Sequence, residues 1–255
     1  MLKLMPRDWL LMEGLYANTM MSFKQIAQYY FDERAKSTIH NRLTQLEQGG
    51  IIKRFKMGRI LHHLHETEIG VVFSLNKLGL TLLQAKIPER TLRIEPVPVN
   101  TSTLYHDLLL VDVTKKLESI FPEMNFVSGK LIGLPPQKMK RIPDIIGHWQ
   151  GTKKMMAIEL ELTNKSEKRY RQILTEYRID QNFERILYIT SHVSIEEKIK
   201  TLLTHKKVDS FMRPSTGKFY FATMTDFLKD TPNLNLSNGT ENLCSVKEKR
   251  YAQQA

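Results

Sequence analysis

Residues 36–55, KSTIHNRLTQLEQGGIIKRF, hold the pattern that decides the fold of the N-terminal part of this chain. Apolar residues recur at intervals of three or four positions from Ile39 to Leu46, which is the spacing of one face of an α-helix. Ser37 is a suitable N-cap because its hydroxyl can accept hydrogen bonds from free backbone amides, and Gly49-Gly50 is a typical helix end. The sequence therefore predicts a helix that begins near Ser37 and stops at the glycines.

The other face of this helix carries small polar and basic side chains, which are the types that reach base edges and phosphates from a DNA major groove. The predicted DNA-contacting residues of the helix are Lys36, Ser37, Thr38, His40, Asn41 and Arg42. Four basic residues follow where phosphates would lie, namely Lys53, Arg54, Lys56 and Arg59. The competing interpretation is a face that is only solvated or that binds protein. The positive charge of these four residues favours DNA as the partner of this surface.

Helical and extended segments flank this helix in a regular order. A first helix is predicted over residues 7–18, and Ser22 is placed to cap a second one. The segments after the glycines are a strand at 51–55, a turn at 57–59, a returning strand at 71–75 and a further helix. This order resembles the winged-helix domains of many bacterial DNA-binding proteins over residues 7–86. The resemblance implies a winged helix-turn-helix that binds DNA.

Three histidines in the predicted wing raise the alternative of a metal site. They are His62, His63 and His65. Protein zinc sites combine such histidines with cysteines or carboxylates, and neither cysteines nor paired carboxylates neighbour this group. A polar wing tip is therefore the preferred interpretation.

The charge balance of the whole chain points to the same partner. Its 255 residues contain 38 Lys and Arg against 27 Asp and Glu, a formal net charge of +11 that attracts polyanions. A protein of the membrane surface would usually show a basic amphipathic helix with a bare apolar face, which the sequence lacks. The start of the chain has no apolar stretch typical of a signal peptide, and the single Cys244 excludes an internal disulfide. The expected location is the cytoplasm.

The predicted fold class is α+β, with a winged helix-turn-helix followed by a restriction-endonuclease-like domain whose mixed central sheet is flanked by helices. We expect the DNA-binding domain at 1–86 and a linker at 87–100, which holds three prolines and no sustained period. The second domain is predicted at 101–230. The polar residues 231–255 are expected to form a flexible tail.

Three acidic residues of the second domain are predicted to converge. Asp144 and Glu159 belong to two neighbouring hydrophobic strands joined by a short turn, and Glu161 lies two positions after Glu159, hence on the same strand face. Crowded carboxylates repel each other unless a hard divalent cation neutralises them, and oxygen ligands favour Mg²⁺ or Mn²⁺. The alternative is an exposed hairpin edge whose carboxylates face solvent.

Pro143-Asp144, a spacer and then Glu159-x-Glu161 resemble a variant of the PD-(D/E)XK nuclease motif. Asp144 matches the aspartate of that motif and Glu159 its second acid, whereas Glu161 stands where the family has lysine. The resemblance implies a metal site at the three acids and a cation recruited from elsewhere. The candidates for that cation are Lys165, Lys168 and Arg169.

A winged helix followed by such a domain is similar to the replication-relaxation family, and within it to the MOBC relaxases of mobilisable plasmids. The resemblance implies a metal-dependent endonuclease that nicks one DNA strand at an origin of transfer. It also implies duplex and single-stranded DNA as partners, with an accessory mobilisation or coupling protein. The alternative is a non-catalytic, sequence-specific regulator of replication or transcription in which the nuclease fold is only a scaffold.

Three further residues are candidates for catalysis. Tyr170 lies one turn after the acidic strand and is the first candidate for covalent attack, although its helical spacing with Ile173 and Leu174 is also that of a core stripe. Lys168 is a candidate phosphate ligand or a solvated residue. His106 is a candidate base or an ordinary helix histidine.

Overall fold

The structure is a computed structural model that describes residues 2–32, 34–62, 65–89, 91–132, 139–149, 151, 154–204, 216–229 and 236. It divides into two units, Met1–Asp112 and Val113–Ala255. The predicted α+β class is confirmed, since helices accompany an antiparallel three-stranded sheet in one unit and a mixed five-stranded sheet in the other. His63, the side chain of Arg59 and the predicted tail, apart from Leu236, lie outside the described residues.

Among the described residues, four helices and five strands precede the proline-containing segment 87–100. They are α1 (Pro6–Asn18), β1 (Met21–Ser22), α2 (Phe23–Tyr30), α3 (Lys36–Gln48), β2 (Ile52–Lys56), β3 (Arg59–His62), β4 (His65–Glu68), β5 (Val71–Leu75) and α4 (Lys77–Lys86). The order of these elements is the one predicted, with β1 and the separate strands β3 and β4 added. Ser22 caps α2 as expected, because its hydroxyl accepts from the Gln25 amide at 3.2 Å.

Helix α3 differs from the prediction at its start. It begins at Lys36 with Ala35 at the N-cap position, so that Ser37 is already inside the first turn and gives no side-chain cap. The N-cap is therefore two residues earlier than the sequence pattern indicated. Its end is as expected, since Gly49 follows the last helical residue and Gly50 adopts a φ of 70°, which favours glycine.

The strands of the first unit form two sheets. Strand β5 lies between β1 and β2, antiparallel to both. Strands β3 and β4 pair with each other as a separate antiparallel hairpin, in which His62 is opposite His65. The predicted turn at 57–59 was therefore wrong at Arg59, because the backbone of Arg59 already pairs with that of Glu68.

The core of the first unit lies between the helices and the three-stranded sheet. Its fully buried members include Leu11 of α1, Ile26 of α2, Leu43 of α3 and Phe73 of β5. Burial of such side chains stabilises the fold by roughly 2 kcal/mol each. This core fixes the buried side of α3, and its other side is left facing solvent.

The division between the units falls within α5 (Leu104–Ile120). The elements that follow are β6 (Met124–Ser128), β7 (Ile145–Trp149), β8 (Met155–Glu161), α6 (Glu167–Ile179), β9 (Phe183–Thr190), α7 (Val193–Thr204), β10 (Phe219–Thr223) and α8 (Met224–Leu228). Ser166 caps α6 by accepting from the Arg169 amide at 3.3 Å. No helix in the described part of the chain is long and apolar enough to cross a membrane.

The sheet of the second unit has the order β10-β9-β8-β7-β6. Strands β6, β7 and β8 are antiparallel neighbours, whereas β8, β9 and β10 run parallel. The register places Glu159 beside Tyr188 and Glu161 beside Thr190. These four residues share one sheet face with Ala157, which packs in the core formed with α6 and α7. The acidic residues therefore lie at the end of the middle strand, on its helix-covered face.

Candidate functional site

The N-terminal half of α3 presents a continuous polar surface. Its exposed residues include Lys36, Ser37, Thr38, His40 and Asn41. The buried residues Ile39, Leu43 and Leu46 lie on the opposite side and hold the helix against the core. Five of the six side chains predicted to contact DNA from this helix are thus open to solvent on one surface.

The sixth, Arg42, is held within the protein. Its Nε donates to Oδ1 of Asp8 at 3.0 Å, and its guanidinium also donates to Gln45 at 2.8 Å and to the Lys3 carbonyl at 2.9 Å. Asp8 is almost fully buried. The structure therefore gives Arg42 a structural role, joining α3 to α1, in addition to the predicted contact with DNA.

The basic residues of β2 also differ from each other. Arg54 forms an ion pair with Glu47 at 2.9 Å and donates to Thr44 Oγ1 at 3.0 Å, so that it joins β2 to α3. Lys53 and Lys56 are exposed. Among the described side chains of this group, the two lysines are therefore the ones open to a phosphate.

In the second unit the structure brings Asp144 close to both glutamates. Asp144 immediately precedes β7 instead of lying within it, and its Oδ2 accepts a hydrogen bond from the Leu160 amide at 2.9 Å. Leu160 stands between Glu159 and Glu161 on β8, so the aspartate reaches the backbone between the two acids. The backbone of Gly129 fixes this position by donating to the Asp144 carbonyl at 2.9 Å.

Gly129 is required at that contact. A Cβ atom on this residue would lie 1.9 Å from the Pro143 carbonyl oxygen, which is far inside a van der Waals contact. The close approach of the two backbones therefore depends on the missing side chain. This close contact fixes the position of Pro143-Asp144 immediately before β7.

Glu159 is buried and has two donors on one oxygen. Arg141 Nε donates to its Oε1 at 2.8 Å, and the Tyr177 hydroxyl donates to the same atom. The pKa of Glu159 is raised to about 7, first because burial disfavours the charged carboxylate and then because Asp144 is negatively charged nearby. Arg141 and Tyr177 act against this rise. The charge of Asp144 therefore acts on the Glu159 carboxylate.

Glu161 has a different cation. Its Oε2 forms an ion pair with Lys165 Nζ, four residues later in the loop before α6. Burial raises the pKa of Glu161, Lys165 opposes the rise, and the charge of Asp144 adds to it. Of the three cations considered from the sequence, Lys165 is the one that the structure places against an acid, whereas Lys168 is exposed on α6.

Two hydroxyls of β9 border the glutamates. The Tyr188 hydroxyl and Thr190 Oγ1 are buried and have no hydrogen-bond partner among the described residues. Tyr188 is the register neighbour of Glu159, and the charges of Glu159 and Glu161 both act on its hydroxyl and raise its pKa, after the larger effect of burial. Unpartnered buried hydroxyls are uncommon in folded proteins.

Tyr170 is buried on α6, and His106 is on α5 in the first unit. Tyr170 is fully buried with Ile173, Leu174 and Tyr177, and burial raises its pKa to about 12. Its hydroxyl donates to the Thr163 carbonyl at 3.3 Å, which fixes the loop that carries Lys165. His106 belongs to the first unit, and its Nδ1 lies 3.7 Å from Oδ1 of Asp107.

A family model described as replication-relaxation matches residues 12–179, about two thirds of the 255 residues. The chain belongs to the replication-relaxation family. Membership indicates a role in the replication or relaxation of DNA, and hence an interaction with DNA. Neither the curated proteins nor the solved structures contain a match to this member of the family.

The three acids of this replication-relaxation protein are candidate ligands for a divalent metal ion. No group of three or more His, Cys, Asp or Glu side chains in the described ranges is arranged to hold a metal ion. Magnesium, however, is commonly held by one or two carboxylates together with waters and substrate phosphates. Asp144, Glu159 and Glu161 supply the oxygen donors that such a site requires, and the two unpartnered hydroxyls lie beside them. The carboxylate oxygens of these residues are the donor type that a hard cation prefers.

Sequence reasoning did not identify Arg141 as part of this site. Its guanidinium contacts Glu159 and lies 3.9 Å from Oε2 of Glu176 on α6. The only local signal was a basic residue three positions before Asp144. The contact depends on the fold, because Arg141 comes from a segment without helix or strand and Glu159 is 18 residues away.

Proposed function

We propose that this replication-relaxation protein is a metal-dependent endonuclease of the MOBC type, which nicks one DNA strand at a plasmid origin of transfer to start conjugative mobilisation. The observation that carries the proposal is the hydrogen bond from the Leu160 amide to Asp144, which holds the aspartate at the backbone between Glu159 and Glu161, where its charge acts on both glutamates. Like charges held this close favour a bound cation. Family membership supports DNA as the substrate.

The first unit supplies the DNA-binding surface in this proposal. The exposed half of α3 has the side-chain types that contact base edges in a major groove, and Lys53 and Lys56 are open to the backbone phosphates. Arg42 and Arg54, which are also predicted to contact DNA, support the shape of this surface through their ion pairs. Duplex DNA is thus the proposed partner of α3, and the strand to be nicked is the proposed substrate of the acids.

Asp144, Glu159 and Glu161 would hold Mg²⁺ or Mn²⁺. Such an ion supplies, when bound, positive charge for the phosphate and for the departing oxygen, and it activates water. The side chain of Lys165 adds a positive charge beside Glu161, where the lysine of the resembling nuclease motif is missing. Lys165 is therefore the proposed substitute for that lysine.

We favour hydrolysis over covalent attack by Tyr170. The side chain of Tyr170 is 0% exposed, and its hydroxyl has a pKa of about 12 and is bonded to the loop backbone. A nucleophilic tyrosine must reach the phosphate and lose its proton, and both are opposed here. The product is expected to leave the protein without a covalent link.

A nicking assay tests the proposal. Supercoiled plasmid that carries the cognate origin is incubated with the protein and Mg²⁺ or Mn²⁺, and conversion to the open circle is followed on a gel. Asp144→Asn and Glu161→Gln are expected to lower the rate by roughly a hundredfold or more, while origin binding is retained. Wild-type protein that binds the origin but never nicks it would refute the enzymatic function.

The second candidate function is a non-catalytic regulator that binds a specific DNA sequence. It is favoured by the ion pairs of Glu159 with Arg141 and of Glu161 with Lys165, because these cations neutralise the acids without any metal. In that case the Asp144→Asn and Glu161→Gln variants would leave plasmid replication or transcription unchanged. An accessory mobilisation or coupling protein is a proposed partner only of the nickase.

A further inference from the structure

The two cations of the acidic site lie on its solvent side. The Arg141 side chain is 20% exposed and that of its partner Glu159 is 9% exposed. The Lys165 side chain is 34% exposed and that of Glu161 is 6% exposed. A ligand that enters from solvent therefore meets the cations before it meets the carboxylates.

A second feature points to a ligand at the deeper end of this site. The Tyr188 hydroxyl and Thr190 Oγ1 lack partners among the described atoms although both side chains are buried. They are the register neighbours of Glu159 and Glu161 on the same sheet face. Each buried polar group left without a partner costs about 1 to 3 kcal/mol, so a bound ion with its waters would relieve this cost.

We propose that Arg141 and Lys165 act as internal counter-ions that keep divalent metal off Glu159 and Glu161 until a DNA phosphate draws the two cations away. The proposal rests on the metal site of the proposed function and adds its regulation. Metal and phosphate then bind cooperatively, and the free protein has little affinity for the metal.

The charges explain why both ligands are needed. A metal ion alone must displace both cations, of which Arg141 keeps only its longer contact with Glu176 at 3.9 Å. DNA alone brings its phosphates towards buried carboxylates. When both enter, the cations pair with phosphate and the carboxylates pair with metal, so that every charge keeps a partner. The coupling is reciprocal, because each ligand must raise the affinity of the other by the same factor.

Binding of Mn²⁺ measures this coupling without any turnover. Free Mn²⁺ is followed by electron paramagnetic resonance in titrations of the full chain, with and without oligothymidylate. We expect the DNA to raise the Mn²⁺ affinity of the wild type by about tenfold or more, and Mn²⁺ to raise the affinity for oligothymidylate equally. The DNA itself also binds Mn²⁺. This background is measured in the complex of DNA with a variant that carries Asp144→Asn and Glu161→Gln, and is subtracted.

Lys165→Met tests the counter-ion itself. The free variant is expected to bind Mn²⁺ about tenfold more tightly than free wild type, with a correspondingly smaller gain from DNA. Lys200→Met is the matched control, because it breaks an exposed lysine–glutamate pair with Glu196 on α7 and should leave the coupling unchanged. Arg141→Gln gives a second variant, whose fold is checked by circular dichroism.

Equal Mn²⁺ affinity of the wild type with and without DNA would overturn the inference, even if the plasmid is nicked. An unchanged coupling factor in Lys165→Met would overturn it as well. Strong coupling in a protein that never nicks DNA would support the inference and reject the proposed enzyme. The two conclusions can therefore fail separately.

Discussion

Tyr177 donates its hydroxyl hydrogen bond to the Glu159 oxygen that also accepts from Arg141. The tyrosine is fully buried on α6 and also packs edge-on against Phe183, with ring centroids 5.8 Å apart. Glu159 therefore accepts from a neutral donor on α6, Tyr177, and from a charged donor in an irregular segment, Arg141. The acid has little freedom to turn while both donors are in place.

Above pH 7, where Glu159 is ionised, Tyr177→Phe should destabilise the protein by about 2 kcal/mol, because it removes a donor from a buried, charged acceptor and keeps the packing of the ring. The free energy of unfolding in urea measures the effect. Tyr170→Phe is the comparison, since the hydroxyl of Tyr170 donates to a neutral carbonyl and should contribute about 1 kcal/mol. Equal losses in the two variants would contradict a charged Glu159.

The stability of the protein should depend on the ionisation of Glu159. Its pKa in the folded protein is about 7, above its ordinary value of 4.5, so the folded state holds the proton more tightly than the unfolded chain. The corresponding stabilisation is complete below pH 4.5 and is lost as the pH rises through about 7. The slope is at most about 1.4 kcal/mol per pH unit.

Glu159→Gln isolates this contribution. Glutamine does not titrate, so the variant should gain stability relative to the wild type as the pH rises between 4.5 and about 7. Urea unfolding of both proteins across this range gives the difference. A difference that stays constant with pH would show that the pKa of Glu159 is not raised.

Arg42 is expected to stabilise the first unit. Removing one partner of a largely buried ion pair leaves the other charge unpaired, so Arg42→Ala should cost about 3 kcal/mol. A double-mutant cycle with Asp8→Asn measures the interaction, since the second substitution should cost much less once the first is present. Additive losses would show that the pair is not coupled.

Substitutions on the exposed surface of α3 should distinguish phosphate contacts from base contacts. Lys36→Ala should weaken binding to all sequences and lower the salt dependence by about one phosphate contact. Asn41→Ala should instead reduce the preference for the cognate site over other duplexes by about 1 to 3 kcal/mol. Fluorescence anisotropy at several salt concentrations measures both. The same response in both variants would contradict base reading by Asn41.

Regular patterns of the sequence were enough to predict which side chains share a face at both sites. The spacing from Ile39 to Leu46 gave the buried side of α3, and the alternation of Glu159 and Glu161 gave their common face on β8. Both patterns are local, since they follow from 3.6 residues per helical turn and two residues per strand repeat. The capping of α2 by Ser22 is local in the same sense.

The partners of the charged side chains could not be predicted in this way. Arg42 pairs with Asp8, which is 34 residues away, and Arg141 pairs with Glu159 across 18 residues. The preference for Lys165 over Lys168 depends on a loop whose shape is fixed by the Tyr170 hydroxyl. Such contacts depend on how whole elements pack, and they cannot be predicted from the spacing of residues in the sequence.

Glu159 and Glu161 belong to β8, the middle strand of five, whereas Arg141 and Lys165 come from segments without helix or strand. A middle strand is bonded on both edges and tolerates little rearrangement, while irregular segments accept insertions and new lengths with small energetic effect. The strength of the ion pairs that Arg141 and Lys165 form with the two glutamates could therefore be changed by exchanging these irregular segments alone. The strand that bears the acids would remain untouched.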